Sequence, residues 1–197
     1  MTSNSTHTNV KMKFILALLS FAFLLNGTAQ SYFQQKVDYK INVQLYDQEN
    51  MLRGYEEFTY YNNSTVELTF MYIHLWPNAY KNTETAMSRQ LYDMDNMAIQ
   101  FADEKDLGYI DSLDFKINGQ PAKWELDEKN IDICKLTFAA PLKPGEKIVV
   151  STPFKVKIPS GDISRMGFVE ESYQITQWYP KPAVFDTDGW HEMPYLT

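Results

Sequence analysis

Cysteine is almost missing from this sequence, because Cys134 is the only one among 197 residues. An intrachain disulfide is therefore excluded, and the fold must depend on its hydrophobic core or on a larger assembly. No cysteine lies near the end of the apolar segment at the N-terminus, residues 14–25, which excludes lipid anchoring at that point. Since Cys134 lies in a predicted strand, we expect it to be buried and unreactive.

Histidine is also scarce, with only His7, His74 and His191 present. A zinc peptidase of the H-E-x-x-H type needs two histidines one helical turn apart. After His191-Glu192, however, Tyr195 occupies the position of the second histidine, and Pro194 would break the required helix. The motif is therefore excluded here, and we expect His74 to be an ordinary strand histidine.

Signatures of other chemistries are missing too, including the G-x-S-x-G nucleophile elbow and any glycine-rich phosphate loop. Asp186, Asp188 and Glu192 form the one acidic group near the end of the chain. These carboxylates would suit a glycosidase pair or a calcium site. The run Asp-Thr-Asp-Gly is equally typical of a plain turn, so all three interpretations stay open.

The longest hydrophobic run of the sequence, residues 14–25, is too short for a membrane-spanning helix. Lys11 and Lys13 precede twelve apolar or small residues over 14–25, and Gly27-Thr28-Ala29 follows. About 20 apolar residues are needed to span a bilayer, whereas this pattern is that of a secretory signal peptide. We predict a signal peptide over 1–29, a mature domain over 30–197, no membrane anchor after cleavage, and a secreted or periplasmic location.

The mature chain is acidic. The full sequence has 18 basic and 25 acidic residues, and cleavage of the signal peptide removes two of the lysines and no acidic residue. The mature chain therefore has 16 basic and 25 acidic residues and a formal net charge of −9. Such a surface does not favour nucleic acid or anionic lipid as a partner.

What is abundant is β-forming sequence. Aromatic residues make up 15% of the chain, and apolar residues alternate with polar ones from Val37 to Leu45. Further strands are predicted over 52–61, 65–76, 109–117, 122–126, 131–138 and 147–158, with a short helical excursion within 83–101. We therefore predict an all-β, antiparallel, saddle-shaped β-sandwich-like domain with one short helical excursion.

Two segments resemble the N-terminal domain of M1-family zinc metallopeptidases, which include aminopeptidase N and leukotriene A4 hydrolase. These are HLWPNAY over residues 74–80, and TQWYPKP over 176–182 followed by FDTDGWH over 185–191. Both look like a bacterial, Bacteroidetes-type branch. The resemblance covers residues 36–197 and includes none of the family's catalytic residues.

The resemblance implies a non-catalytic β domain that packs against a thermolysin-like catalytic domain, which this chain lacks. The parent would hydrolyse peptides with zinc held in that domain, and this chain alone would hold no cofactor. Gln177 matches the family's cleft-lining glutamine, and Tyr179 stands where relatives place a Glu or Gln that binds the substrate's amino group. Gln177 and Tyr179 are thus the candidate substrate-binding residues, and His191-Glu192 has no assigned role.

Two further expectations follow from this reading of the chain as truncated before its catalytic domain. An apolar seam would be uncovered at Trp178, Tyr179, Val184, Phe185, Trp190 and Tyr195. Residues after Pro180 would be mobile. The alternative function is an autonomous secreted β-sandwich module that binds peptide or carbohydrate.

The first prediction concerns export. If the chain is expressed in a secreting host, N-terminal sequencing of the exported protein should begin at or near Gln30, because small residues end the leader there. An exported protein that keeps Met1 or Met12 at its terminus would contradict the prediction.

Overall fold

The computed structural model describes residues 32–197, and the predicted signal peptide lies outside them. Within this part of the chain there are fourteen strands and one α-helix. In chain order they are β1 (Lys36–Tyr46), β2 (Met51–Tyr61), β3 (Leu68–His74), α1 (Ala86–Asp93), β4 (Tyr109–Asp111), β5 (Lys116–Ile117), β6 (Gln120–Pro121), β7 (Lys123–Leu126), β8 (Ile133–Leu142), β9 (Lys147–Lys157), β10 (Gly167–Val169), β11 (Ser172–Gln174), β12 (Lys181–Pro182), β13 (Val184–Asp186) and β14 (Gly189–His191).

Two antiparallel sheets carry the fold. The larger has the order β1-β2-β9-β5-β6, with β4 also paired to β9, and the smaller has the order β12-β3-β8-β7. Two separate hairpins, β10–β11 and β13–β14, complete the described strands. The all-β prediction is therefore confirmed, and residues 33–197 form one compact unit.

A single hydrophobic core contains side chains from both sheets. The inward residues of β2 alternate along the strand, so that Leu52, Phe58 and Tyr60 are buried while Glu57 is exposed. Met71 on β3 and Leu136 on β8 belong to the same cluster. This is the period-two pattern that a strand with one buried face requires, and it explains why β2 and β9 were predicted well.

Some predicted elements are shorter or interrupted. The strand expected over 109–117 is divided into β4 and β5, because Ser112 has a φ of 59° and breaks the ladder. The helical excursion contracts to α1, where the Thr85 hydroxyl caps the helix by accepting a hydrogen bond from the Ser88 amide at 3.1 Å. The same hydroxyl donates to the Ala79 carbonyl at 2.7 Å, so the cap also ties the helix to the preceding turn.

A 3₁₀ turn over Trp76–Tyr80 follows β3, and Pro77 lies at its start. Asn78 within it is only 2% exposed. Its Nδ2 donates to the Ile131 carbonyl at 2.9 Å, and its Oδ1 accepts from the Ile110 amide at 3.0 Å. One side chain thereby joins the turn to β4 and to the segment before β8.

The last part of the chain packs onto the sheets. The Trp190 ring on β14 lies 6.4 Å from Tyr60 of the larger sheet and 6.2 Å from Phe70 of the smaller one, measured between ring centroids. Tyr195 is 5% exposed, and its amide donates to Asp132 Oδ2 at 2.6 Å. The expected uncovered seam is therefore wrong at Tyr195, and of the six residues expected in it only Val184 is strongly exposed.

None of the helices within residues 32–197 is long and apolar enough to cross a bilayer.

The second prediction concerns the buried Asn78. Replacing it with aspartate, Asn78→Asp, keeps the size but removes the donor to Ile131 and buries a charge, so we expect a loss of roughly 2 kcal/mol or more in unfolding free energy. Urea unfolding measures the loss. Asn96→Asp is the matched control, because exposed Asn96 only accepts a hydrogen bond from Ala98 and aspartate can still accept it. Equal stability of the two variants would contradict the prediction.

Candidate functional site

Residues 176–180, which we call the strap, connect β11 to β12 and contain both candidate substrate-binding residues. No backbone hydrogen bond within the described residues ties the strap to either sheet. Its contacts come from side chains. The Trp178 ring packs on Phe154 of β9 at 5.8 Å, and the Tyr179 ring packs edge-on against Tyr39 of β1 at 5.4 Å.

Gln177 has a left-handed backbone conformation, with a φ of 55°. That conformation is uncommon for residues other than glycine, asparagine and aspartate, and it costs free energy. The Gln177 side chain is held by Lys181, whose Nζ donates to Gln177 Oε1. The same ammonium lies 3.6 Å from the centre of the Trp76 ring. A charged group therefore fixes the amide of the first candidate residue.

Lys181 is half-buried at this position, and burial lowers its pKa to about 8. The amide oxygen of Gln177 and the face of the Trp76 indole both favour the charged form. The lysine therefore carries its proton at neutral pH and presents a positive charge beside Gln177.

Tyr179 points to a different neighbour. Its ring contacts Tyr39 and, at 5.1 Å, the ring of Trp178. The structure thus places Gln177 with Lys181 and Trp76 beside the smaller sheet, whereas Tyr179 rests on the larger one. Nothing here tests their role in substrate binding, which stays a prediction.

Sequence reasoning missed Glu56, which lies below the strap. Glu56 is on β2, opposite Ile41 of β1 and Thr152 of β9. It is fully buried, and neither carboxyl oxygen has a hydrogen-bond partner. Burial raises the pKa of Glu56 to about 8, so the carboxyl is mostly protonated at neutral pH.

The position of Glu56 follows from strand register. On β1, Tyr39 lies two residues from Ile41, the partner of Glu56, and therefore on the same face of the sheet. On β9, Phe154 lies two residues from Thr152, the other partner of Glu56, and in the opposite direction along the sheet. The two rings therefore stand at opposite corners around Glu56. Trp178 and Tyr179 rest on these two rings and contact each other. An unbroken series of four aromatic rings therefore crosses the sheet above the carboxyl. One signal in the sequence could have identified Glu56: the alternation of β2 places this glutamate at an inward position.

His191 and Glu192 do not form a metal pair in this arrangement. His191 Nε2 lies 2.8 Å from Asp186 Oδ2 across the hairpin β13–β14. The other oxygen of Asp186 accepts the Asp188 amide at 2.8 Å, which is the turn expected from Asp-Thr-Asp-Gly. The Asp186 carboxylate is thus engaged within its own hairpin, and the glycosidase and calcium interpretations gain no support from its contacts.

His74 and Cys134 are both buried in strands, as expected. The expectation of a satisfied strand histidine is wrong in one respect, because His74 Nε2 is buried without a hydrogen-bond partner among the described residues. The His74 ring stacks on Trp76 at 4.7 Å. Burial, and next the charge of Lys181, lower the pKa of His74 to about 4, so the imidazole is neutral at physiological pH. Burial raises the pKa of Cys134 to about 12, which leaves no reactive thiolate.

Within residues 32–197, no three His, Cys, Asp or Glu side chains are close enough to share a metal ion. Comparisons with known protein families and with curated proteins find no match for the chain.

The third prediction concerns the pair of His191 and Asp186. The Asp186 carboxylate, 2.8 Å from His191 Nε2, stabilises the imidazolium and raises the pKa of His191 above its ordinary 6.5. NMR titration of the His191 ring should therefore show a raised pKa that falls in Asp186→Asn. Asp188→Asn is the control and should lower it less, because Asp188 acts only through its charge. An unchanged His191 pKa in Asp186→Asn would contradict this role.

Proposed function

We propose that residues 30–197 are the non-catalytic N-terminal domain of a secreted or periplasmic M1-like zinc metallopeptidase, and that the strap helps line the substrate cleft of the parent enzyme. The parent would cleave peptides from their amino end. Zinc would be held by its catalytic domain, where the bound water supplies the nucleophile. This domain would contribute shape and contacts to the cleft.

The observation that carries the proposal is an uncovered apolar strip beside the strap. On the face of β1 that points toward the core, Tyr39 is 40% exposed, Val43 45% and Leu45 40%. Alternation normally buries such a face, and a contiguous apolar patch on a surface is typical of an interaction site. The strip borders Tyr179, which rests on Tyr39. A second domain packed here would cover the strip and bring the strap to the edge of a cleft.

The positive charge of Lys181 would give that cleft a group that attracts the oxygen atoms of a peptide. Its ammonium is held beside the Gln177 amide and over the Trp76 indole. An amide and an ammonium side by side suit carbonyl oxygens or a carboxylate of a bound peptide. In this proposal Gln177 binds the peptide backbone, and Lys181 fixes the orientation of its amide.

A second candidate function is supported by one groove. A groove of about 920 Å³ lies between the β5–β6 hairpin and the adjoining ends of β8 and β9, and Tyr61 lines it. An independent module would use such a groove for peptide or carbohydrate. The Lys36 and Lys147 ammonium groups lie 4.6 and 5.6 Å from the centre of the Tyr61 ring, however, so they compete with a sugar for that ring.

The fourth prediction tests the proposed function. Reading the coding sequence beyond codon 197 should reveal H-E-x-x-H and a more distant glutamate in the same frame. The mature chain itself should bind well under one zinc ion and should not hydrolyse amino-acid arylamides, because His74 and His191 serve packing and a hairpin pair.

Two results would overturn the proposal. One is a stop codon directly after Thr197 together with saturable peptide or sugar binding that Tyr61→Ala removes. The other is one zinc ion per chain that is lost in His191→Ala but kept in His74→Ala. The first result would favour the independent module, and the second would make His191 a metal ligand.

A further inference from the structure

We infer that Glu56 is a positioning residue for the strap: its protonated form lets the strap close over the larger sheet, and its ionised form releases it. This device belongs to the described domain and stands without the proposed function. Only its consequence for substrate binding by Gln177 rests on that function.

The first step is the free-energy cost of burying the Glu56 carboxyl beneath the closed strap. Glu56 is 0% exposed, and both of its oxygens lack partners. An ionised carboxylate without a partner is very unfavourable in such a place, and even the neutral acid loses its hydrogen bonds to water. The closed strap therefore tolerates the protonated acid and excludes the carboxylate.

The second step is the weakness of the strap's attachment. Within the described residues, the strap makes no backbone hydrogen bond to either sheet. The hydroxyl of Thr176, its first residue, is also buried without a hydrogen-bond partner. Gln177 holds a left-handed conformation at a cost. Closure is thus favoured by the ring contacts of Trp178 and Tyr179 and by the apolar area that these rings bury. Lifting the strap would admit water to Glu56 without breaking a strand.

The third step is the absence of a competing charge within residues 32–197. From β1 the titratable group that faces Glu56 is Tyr39, and Tyr179, the one titratable residue of the strap, packs on that ring. From β9 the neighbour is Thr152, whose hydroxyl accepts the Asp114 amide at 2.9 Å while the Asp114 carboxylate is exposed. Lys181 is engaged with Gln177 and Trp76. No cation is therefore in place to hold an ionised Glu56 in the closed state.

The direction of the pH effect follows from these steps. In the closed state burial raises the pKa of Glu56 to about 8, from an ordinary 4.5 that water contact would restore in the open state. Between these two values the closed state holds a proton that the open state has lost. Raising the pH therefore favours opening, by about tenfold in the open-to-closed ratio per pH unit, and the effect levels off above pH 8.

Opening changes what the strap presents. Gln177 and Tyr179 are adjacent to Trp178, so lifting that ring from Phe154 moves both candidate residues. If the strap lines a cleft as proposed, substrate affinity would depend on pH through Glu56 even though Glu56 touches no substrate.

The fifth prediction tests the strap in the isolated mature chain. Acrylamide quenching of Trp178, obtained as the difference between each protein and its Trp178→Phe counterpart, should rise severalfold between pH 5 and 8 in the wild type. Glu56→Gln and Glu56→Met should abolish the rise, because neither side chain ionises. Glu57→Gln is the matched control and should behave as wild type, since Glu57 is the exposed neighbour on the opposite face of β2.

Direct titration of the Glu56 carboxyl by carbon NMR completes the test. A raised pKa together with quenching that Glu56→Met makes independent of pH supports the inference. An ordinary carboxyl pKa, quenching that does not change with pH in the wild type, or an equal rise in Glu56→Gln would each overturn it. These measurements need neither a catalytic domain nor a substrate, so failure of the proposed function would leave them unaffected.

Discussion

The pairing of β2 with β9 is the constraint on which the rest of the larger sheet depends. The two strands pair over eleven residues each without a bulge, from Met51 opposite Lys157 to Tyr61 opposite Lys147. β1 attaches to one side of this pair, and β4 and β5 attach to the other. Because a slip of one residue would turn Phe58 and Tyr60 outward, the register is fixed by burial. The same register forces Glu56 inward.

Two kinds of attachment hold the last part of the chain, and they differ in strength. The β13–β14 hairpin has its own ladder, and its Trp190 contacts rings of both sheets. Beyond it, the Tyr195 amide is bound by buried Asp132. The strap has ring contacts but no ladder. The strap, residues 176–180, is therefore loosely held, while the chain that follows it is firmly fixed. The strap can move locally while the fold remains intact.

Local pattern accounts for what could be predicted from the sequence. The alternation from Val37 to Leu45 indicated β1, and Asp-Thr-Asp-Gly indicated the turn at Asp186. Strands of two or three residues, such as β10 to β14, are too short for a periodic signal. The site depends on contacts between distant residues, as with Tyr39 and Tyr179, and no spacing rule reports these. Gln177 was found by resemblance alone, while Glu56 was hidden because one charged residue hardly disturbs an apolar alternation.

Glu56 also breaks the consistency that the rest of the sheet shows. An unpartnered buried carboxyl costs about 1–3 kcal/mol or more, a large part of the 5–15 kcal/mol that typically stabilises a domain. A methionine of similar length would fill the same space without that cost. Local inconsistencies of this kind are expected at functional sites. Its location under the strap is therefore a physical argument for the proposal that residues 176–180 have a function, and this argument does not depend on any resemblance to a known family.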